Sequence, residues 1–386
     1  MRVLVFEDRD DKFGTIEQGL ISIGVDPRSI RRAKSLASGV RELRSKFDLY
    51  IIDLWLPMVD NGEDVDVTRE VVALLDQGRD LQSPVVAITS FAAEAEKHSS
   101  FLASKGVHIY DFNSADIWQQ ALSVFLQQAN DRHRYDFIIF TALDEERKAF
   151  AHVEGVETKS VTRAGMSFWD FELNGKKGSI VLFPRMGLVS ASICTARVLE
   201  NYAPKIVCMS GICAGVGKET FLGQLLITEL CWEYQSGKWF DDFFSAEPYQ
   251  IEIAESLRTH FAQYIEDTNL PRRLEAGFEH GSRPGRVHQP RLAMFASGSA
   301  VIASEKRLNH VREQQRKVSG IDMEIYGFHR AARMCNDKLI VFSAKSVVDK
   351  ADEQKDDNLH AYGCFTSAKF CLEMINNLFA SGFANE

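Results

Sequence analysis

The sequence predicts an α/β protein of two domains, each built on its own sheet, and three observations carry that prediction. The chain has 386 residues, 45% apolar and 26% charged, which is globular composition at a length suited to two or three domains. Short continuous apolar runs recur between amphipathic stretches, the pattern of parallel strands buried on both faces by helices. A polar stretch at 127–134 divides the runs into two series.

The first series has strands at Val3–Phe6, Leu49–Ile52 and 85–88, with amphipathic helices at 37–43, 67–75 and around Ile117, Ala121, Leu122 and Phe125. A new strand at 137–140 opens the second series, followed by 180–183, 206–209, 225–228 and 339–342. The domains are thus expected at 1–131 and 132–386, with no repeat, low-complexity tract or long linker.

Several functions are excluded early. No apolar run nears the roughly 18 residues that cross a bilayer, and the apolar start is too short for a signal peptide, so a cytoplasmic protein without membrane contact is expected. The seven cysteines are odd in number and form no CxxC pair, which suits buried thiols rather than a disulfide or zinc framework. A net charge of -9 argues against nucleic-acid binding. Residues 1–131 hold 21 acids against 14 bases, so most of that charge belongs to the first domain.

In doubly wound sheets, working groups collect at the carboxyl ends of strands. Glu7 and Asp8 follow the first strand, Asp53 the third, and Thr89-Ser90 the fourth. Carboxylates converging there would repel one another unless a hard cation such as Mg²⁺ sat between them. The set Glu7-Asp8, Asp48 to Asp53 to Pro57, and Thr89-Ser90 resembles the receiver domain of response regulators over roughly 120 residues, with its flavodoxin-like five-stranded parallel sheet. The resemblance implies that Asp53 is the phosphoacceptor, that Glu7, Asp8 and Asp53 hold the metal, and that Thr89 reports the modification. That family places a Lys before a Pro after the fifth strand, whereas this chain has Asn113 and no Pro, so the phosphoryl group is expected to lack its cation.

Five segments of the second domain stand out: Thr141 to Glu146, Pro184 to Ala191, Met209 to Val216, Ser319 to Gly327 with Asp322-Met323-Glu324, and Ala344 to Lys355 with Asp349-x-x-Asp352. In this order they resemble the purine nucleoside phosphorylase and nucleosidase superfamily, most of all its hydrolytic branch, which implies an α/β domain with a mixed central sheet. That chemistry breaks the bond between ribose C1′ and a purine nitrogen through an oxocarbenium-like sugar, so it needs an acid for the base, an activated water and contacts to the ribose hydroxyls. The resemblance implies that Asp349 protonates the purine, Glu145 or its neighbour Glu146 orients the water, Glu324 binds the 2′ and 3′ hydroxyls, and Met323 packs on the sugar. It also implies a glycine, Gly211, near the ligand and a base-lining segment, Ser297 to Ala303, in which Val301 and Ile302 contact the purine. Trp232, Tyr234 and Phe168 are the rings expected to supply any stacking. No cofactor is expected for the glycosidic step, and the superfamily implies a homo-oligomer.

A basic segment at 271–291, with Arg283 and Arg286, is unusual in an acidic protein and suits an anion clamp, because Arg forks match phosphate oxygens. Arg185 and Lys238 are further candidates, and together they favour a nucleotide over a nucleoside. Receiver plus nucleosidase resembles the effector family of the Detocs two-component antiphage systems, whose members cleave ATP to adenine and ribose-5′-triphosphate on a signal from a histidine kinase. The resemblance implies ATP or a related purine nucleotide as substrate and a cognate histidine kinase as partner; a nucleoside phosphorylase, a methylthioadenosine/S-adenosylhomocysteine-type nucleosidase and a non-catalytic nucleotide-sensing module stay open as alternatives.

Overall fold

The computed structural model describes every residue except 80–82, 92–94, 242, 280, 303, 352–356 and 386. Ala303, Asp352 and Lys355, named above within their segments, lie outside the described residues, as does position 280 of the basic segment. The chain forms two compact units, Met1–His133 and Arg134–Glu386.

The first unit carries five parallel strands, β1 (Val3–Phe6), β2 (Ile30–Ala33), β3 (Leu49–Ile52), β4 (Val85–Thr89) and β5 (Val107–Asp111). Their order, β2-β1-β3-β4-β5, is that of a doubly wound, flavodoxin-like sheet. Every residue of β1, β3 and β4 is buried, which is why these strands read as continuous apolar runs. Helix α1 (Asp10–Ser22) buries Lys12, Ile16, Gly19 and Leu20, so a lysine sits on its apolar stripe. Helices α2 (Leu36–Glu42), α3 (Thr68–Gly78) and α4 (Ser99–Ser104) follow, and α5 (Ala115–Arg132) closes the unit. Helix α5 turns one residue from the expected face: Trp118, Leu122, Leu126 and Ala129 are buried while Ile117 is exposed. The polar stretch expected as the domain boundary begins inside it, as its last turns, and the two units divide just past its end.

The second unit is a ten-stranded mixed sheet. Its strands are β6 (Phe137–Thr141), β7 (Lys159–Arg163), β8 (Met166–Leu173), β9 (Lys176–Leu182), β10 (Ile206–Gly215), β11 (Leu225–Glu233), β12 (Ile251–Glu252), β13 (Arg291–Ser297), β14 (Val318–Asp322) and β15 (Ile340–Asp349). Strand β15 pairs with both β10 and β11, β11 continues through β13 to β14, and β14 meets β10 again at Ala214 and Gly215. Five strands thus close a ring, and the ends of β10, β14 and β15 meet on one side of it. Helices α6 (Asp144–Lys148), α7 (Leu188–Asn201), α8 (Glu255–Tyr264), α9 (Leu270–Glu275), α10 (Glu305–Gln314), α11 (Ile325–Cys335) and α12 (His360–Ala380) surround it. Helix α12 buries thirteen of its residues, yet among the described residues no helix is long and apolar enough to cross a membrane.

Candidate active site

The acidic segments of the second unit meet. Glu146, Met323, Glu324 and Asp349, with Asp322, Lys345 and His360, line one cavity of about 130 Å³, walled by Met186, Ile212, Val301, Ile302 and Val348. Glu324 and Asp349 therefore open into the same space.

The first motif places its acids unequally. Leu143 precedes α6, so Glu146 is the third helical residue, the position whose carboxylate can turn back to the free N–H groups at a helix start. Its Oε2 accepts from the backbone N–H of Ala142 and Leu143 at 2.8 and 2.9 Å, and its Oε1 accepts from Ile212 at 3.0 Å. Gly211 is what lets β10 approach, because a Cβ there would stand 2.1 Å from Oε1. Burial pushes the Glu146 carboxyl up to about 7, with Lys345 opposing that rise and Glu324 adding to it. Glu145 is half exposed and pairs with Nδ1 of His360 at 3.0 Å. Of the two acids weighed for the water, only Glu146 faces the cavity.

The ribose-binding candidate is held by groups that the sequence reading missed. Lys345, 1% exposed, donates to Glu324 Oε2 and contacts Asp322 Oδ2, both at 2.9 Å. Asp322 also accepts from the Ser297 hydroxyl at 2.6 Å and from the backbone N–H of Glu324 and Ile325. The other oxygen of Glu324 accepts from Gly187 N–H at 3.0 Å; Gly187 has φ 109°, a conformation that only glycine adopts freely. Asp322 and Glu324 thus press Lys345 firmly into its charged form. Asp349, half-buried at the end of β15, accepts from Ala351 N–H at 2.8 Å, and Ala351 turns at φ 55°.

The remaining candidates divide. Val301 and Ile302 line the cavity, but Trp232, Tyr234 and Phe168 do not: Trp232 and Phe168 are wholly buried in separate core clusters, and Tyr234 belongs to the cluster of Trp232 with its hydroxyl on Ala300 carbonyl. The wall is aliphatic and thioether instead. Lys238 is exposed on a short ribbon with its ammonium 4.8 Å from the Phe240 ring, away from the cavity. Arg185 is exposed beside Met186. Arg283 and Arg286 line a second, larger cavity.

The first unit also gathers its acids around a lysine. Lys12 Nζ lies 2.9 Å from Glu7 Oε2 and 2.5 Å from Asp53 Oδ2, with Glu7 and Lys12 wholly buried. Burial lifts the Glu7 carboxyl to about 7 even so, with Lys12 opposing and Asp53 reinforcing. Asn113 turns to Asp111 instead. The buried ammonium beside Asp53 therefore stands on α1 and not after β5. The residues do not fit the expected Mg²⁺: Glu7 and Asp53 already share an ammonium, and among the described residues no three His, Cys, Asp or Glu side chains are grouped to hold a metal. Thr89 is buried at the end of β4, its hydroxyl accepting from Phe91 N–H at 3.1 Å.

Residues 136–375 match the Phosphorylase superfamily. An uncharacterised protein of Sinorhizobium fredii (strain NBRC 101917 / NGR234), y4jS, is 29% identical over 98% of this chain and 99% of its own. The ATP nucleosidase Cap17 of Escherichia coli (strain KTE188) is 28% identical over 61% of this chain and 50% of its own, so this chain spans about half the length of that relative. Among solved structures, futalosine hydrolase of Helicobacter pylori strain 26695 aligns with a TM-score of 0.50 at 19% identity, over 64% of this chain and 99% of its own. A 5′-methylthioadenosine/S-adenosylhomocysteine nucleosidase of Helicobacter pylori aligns with a TM-score of 0.51 at 18% identity, over 64% and 100%. At these identities the structural likeness is one of fold.

Proposed function

The chain belongs to the Phosphorylase superfamily, and from that premise we propose that its second unit is an N-glycosidase that hydrolyses a purine nucleotide, ATP foremost, to adenine and ribose-5′-triphosphate. The observation that carries the reading is the single cavity shared by Glu146, Met323, Glu324 and Asp349.

Each group has chemistry suited to one part of the reaction. Glu324, held by Lys345, is the acceptor for the 2′ and 3′ hydroxyls, while Met323 offers an apolar face to the sugar. Glu146, fixed by three N–H donors, takes the proton of the attacking water as the C1′–N9 bond breaks. Asp349 gives its proton to N7 of the departing purine, whose bond electrons would otherwise remain as negative charge on the ring. Glu146 holds the water's proton afterwards, and proton transfer from Glu146 back to Asp349 through solvent restores both. ATP as substrate is favoured by the kinship to an ATP nucleosidase and by the cationic side chains beyond Asp349.

We extend the proposal to the first unit, with Asp53 as the phosphoacceptor of a receiver-type switch served by a histidine kinase in defence against phage. Its support is the position of Asp53 and Thr89 at adjacent strand ends, with Lys12 as the cation that would meet phosphoryl oxygens. The enzymatic proposal is tested by incubating the full chain with ATP in water and in phosphate, then separating products. Hydrolysis yields adenine with ribose-5′-triphosphate in both. A phosphate requirement with a 1-phosphorylated sugar would make the protein a phosphorylase. Expressing Asp53→Ala beside its kinase tests the switch, which predicts loss of nucleotide depletion.

A further inference from the structure

The second cavity, about 990 Å³, adjoins the acidic one without being part of it. Strand β10 lines the acidic cavity with Cys213 and Ala214 and this one with Gly215; strand β15 ends in Asp349 on one side, and Lys350 turns to the other. Six basic side chains face the larger space: Lys218, Arg283, Arg286, His288, Arg312 and Lys350. Among the described residues, Glu305 is the only acid in its lining, and Arg312 neutralises it at 2.8 Å.

These cations fall into two sets. Arg283 donates to Phe278 carbonyl at 2.6 Å, Arg312 is tied to Glu305 and Asn309, and Lys350 donates to the carbonyls of Gly217 and Thr220. They are fixed parts of the wall. Lys218 and Arg286 are exposed and make no hydrogen bond or ion pair among the described residues. The imidazole of His288 is stacked on Phe221 at 4.1 Å, nearly coplanar, and burial with the charges of Arg286 and Lys350 holds its pKa below the usual value. Six basic side chains against one paired acid leave the described lining at positive potential. Residues 132–386 carry only about -2 overall, 33 acids against 31 bases, so this potential is local.

We propose that this cavity is a polyphosphate-binding site, with Lys218 and Arg286 as the mobile ligands and Arg283, Arg312 and Lys350 as fixed ones. Several cations spread over one concave wall match a chain of phosphates better than a single carboxylate, and guanidinium forks pair with phosphate oxygens two at a time. The phosphates are either those of the substrate itself or those of a separate polyphosphate; only the first source rests on the nucleotide reading of the acidic cavity.

Titration calorimetry of the full chain with inorganic triphosphate tests the site without any turnover. Saturable 1:1 binding is expected, weakening as salt rises and at least tenfold weaker in the Lys218→Ala/Arg286→Ala double variant. No binding by the unaltered protein, or equal affinity in the double variant, would overturn the proposal. If the phosphates are the substrate's, triphosphate raises the apparent KM for ATP with kcat fixed. If they belong to a separate molecule, it binds without shifting that KM. Absence of adenine release from any nucleotide would remove the glycosidase reading and leave the calorimetric result to stand or fall alone.

Discussion

Each unit gathers carboxylates around one buried lysine, and the two clusters differ in what the lysine leaves over. In the first unit Lys12 bridges Glu7 and Asp53, the two acids that close on one another, so no pair of them is left for a metal. In the second, Lys345 bridges Asp322 and Glu324, while Glu146 on the same cavity wall takes its hydrogen bonds from backbone N–H groups instead. Which acids a buried cation neutralises decides which remain to move protons.

Five substitutions break or sharpen that contrast. Glu146→Gln keeps the shape and most hydrogen-bond geometry but removes the base, so base release is expected to fall by about 10² to 10⁴-fold. Its pH profile carries a sign: a base must be ionised, and with its pKa near 7 activity should rise with pH and level off above 7. The variant should lose that acid limb, and an unchanged profile would assign the limb elsewhere. Lys345→Met and Lys12→Met each strand two buried carboxylates, at an expected cost of about 3–5 kcal/mol in urea unfolding. A cost under about 1 kcal/mol in either would mean that the carboxylates relax to neutral forms. Gly211→Ala sets a methyl against Glu146 and is expected to cost about 1–3 kcal/mol of stability, with activity lost as the carboxylate is displaced. Glu145→Gln, on the half-exposed neighbour, is expected to change kcat/KM by less than about threefold; a loss like that of Glu146→Gln would reverse the assignment.

Much of the frame was legible. Continuous apolar runs marked the strands because both faces are covered, and the motif order brought Glu324 and Asp349 to one cavity. The choice between Glu145 and Glu146 stayed open until the helix start was located: with Leu143 before the helix, only the third helical position turns back to the free N–H groups. Both lysines were missed for one reason. A charged residue on an apolar stripe, Lys12 with Ile16 and Leu20, or inside an apolar strand, Lys345 between Ala344 and Val347, signals a buried ion pair, but its partners lie far along the chain. The rings Trp232 and Phe168 misled because aromatic residues in strands face either side of a sheet, and core packing claimed both, as it did Tyr234 just past the end of β11. Closure of the strand ring was not legible, since β10 and β14 meet over only two residue pairs.

The central claim, glycosidic cleavage by an acid in this cavity, is tested most directly by free adenine released from ATP by the full chain and by Asp349→Asn, each with and without a small phosphoryl donor. Adenine from the unaltered protein and at least about 10²-fold less from the variant is the expected result. Equal release from both, or ATP left intact by the unaltered protein under every condition, would contradict it.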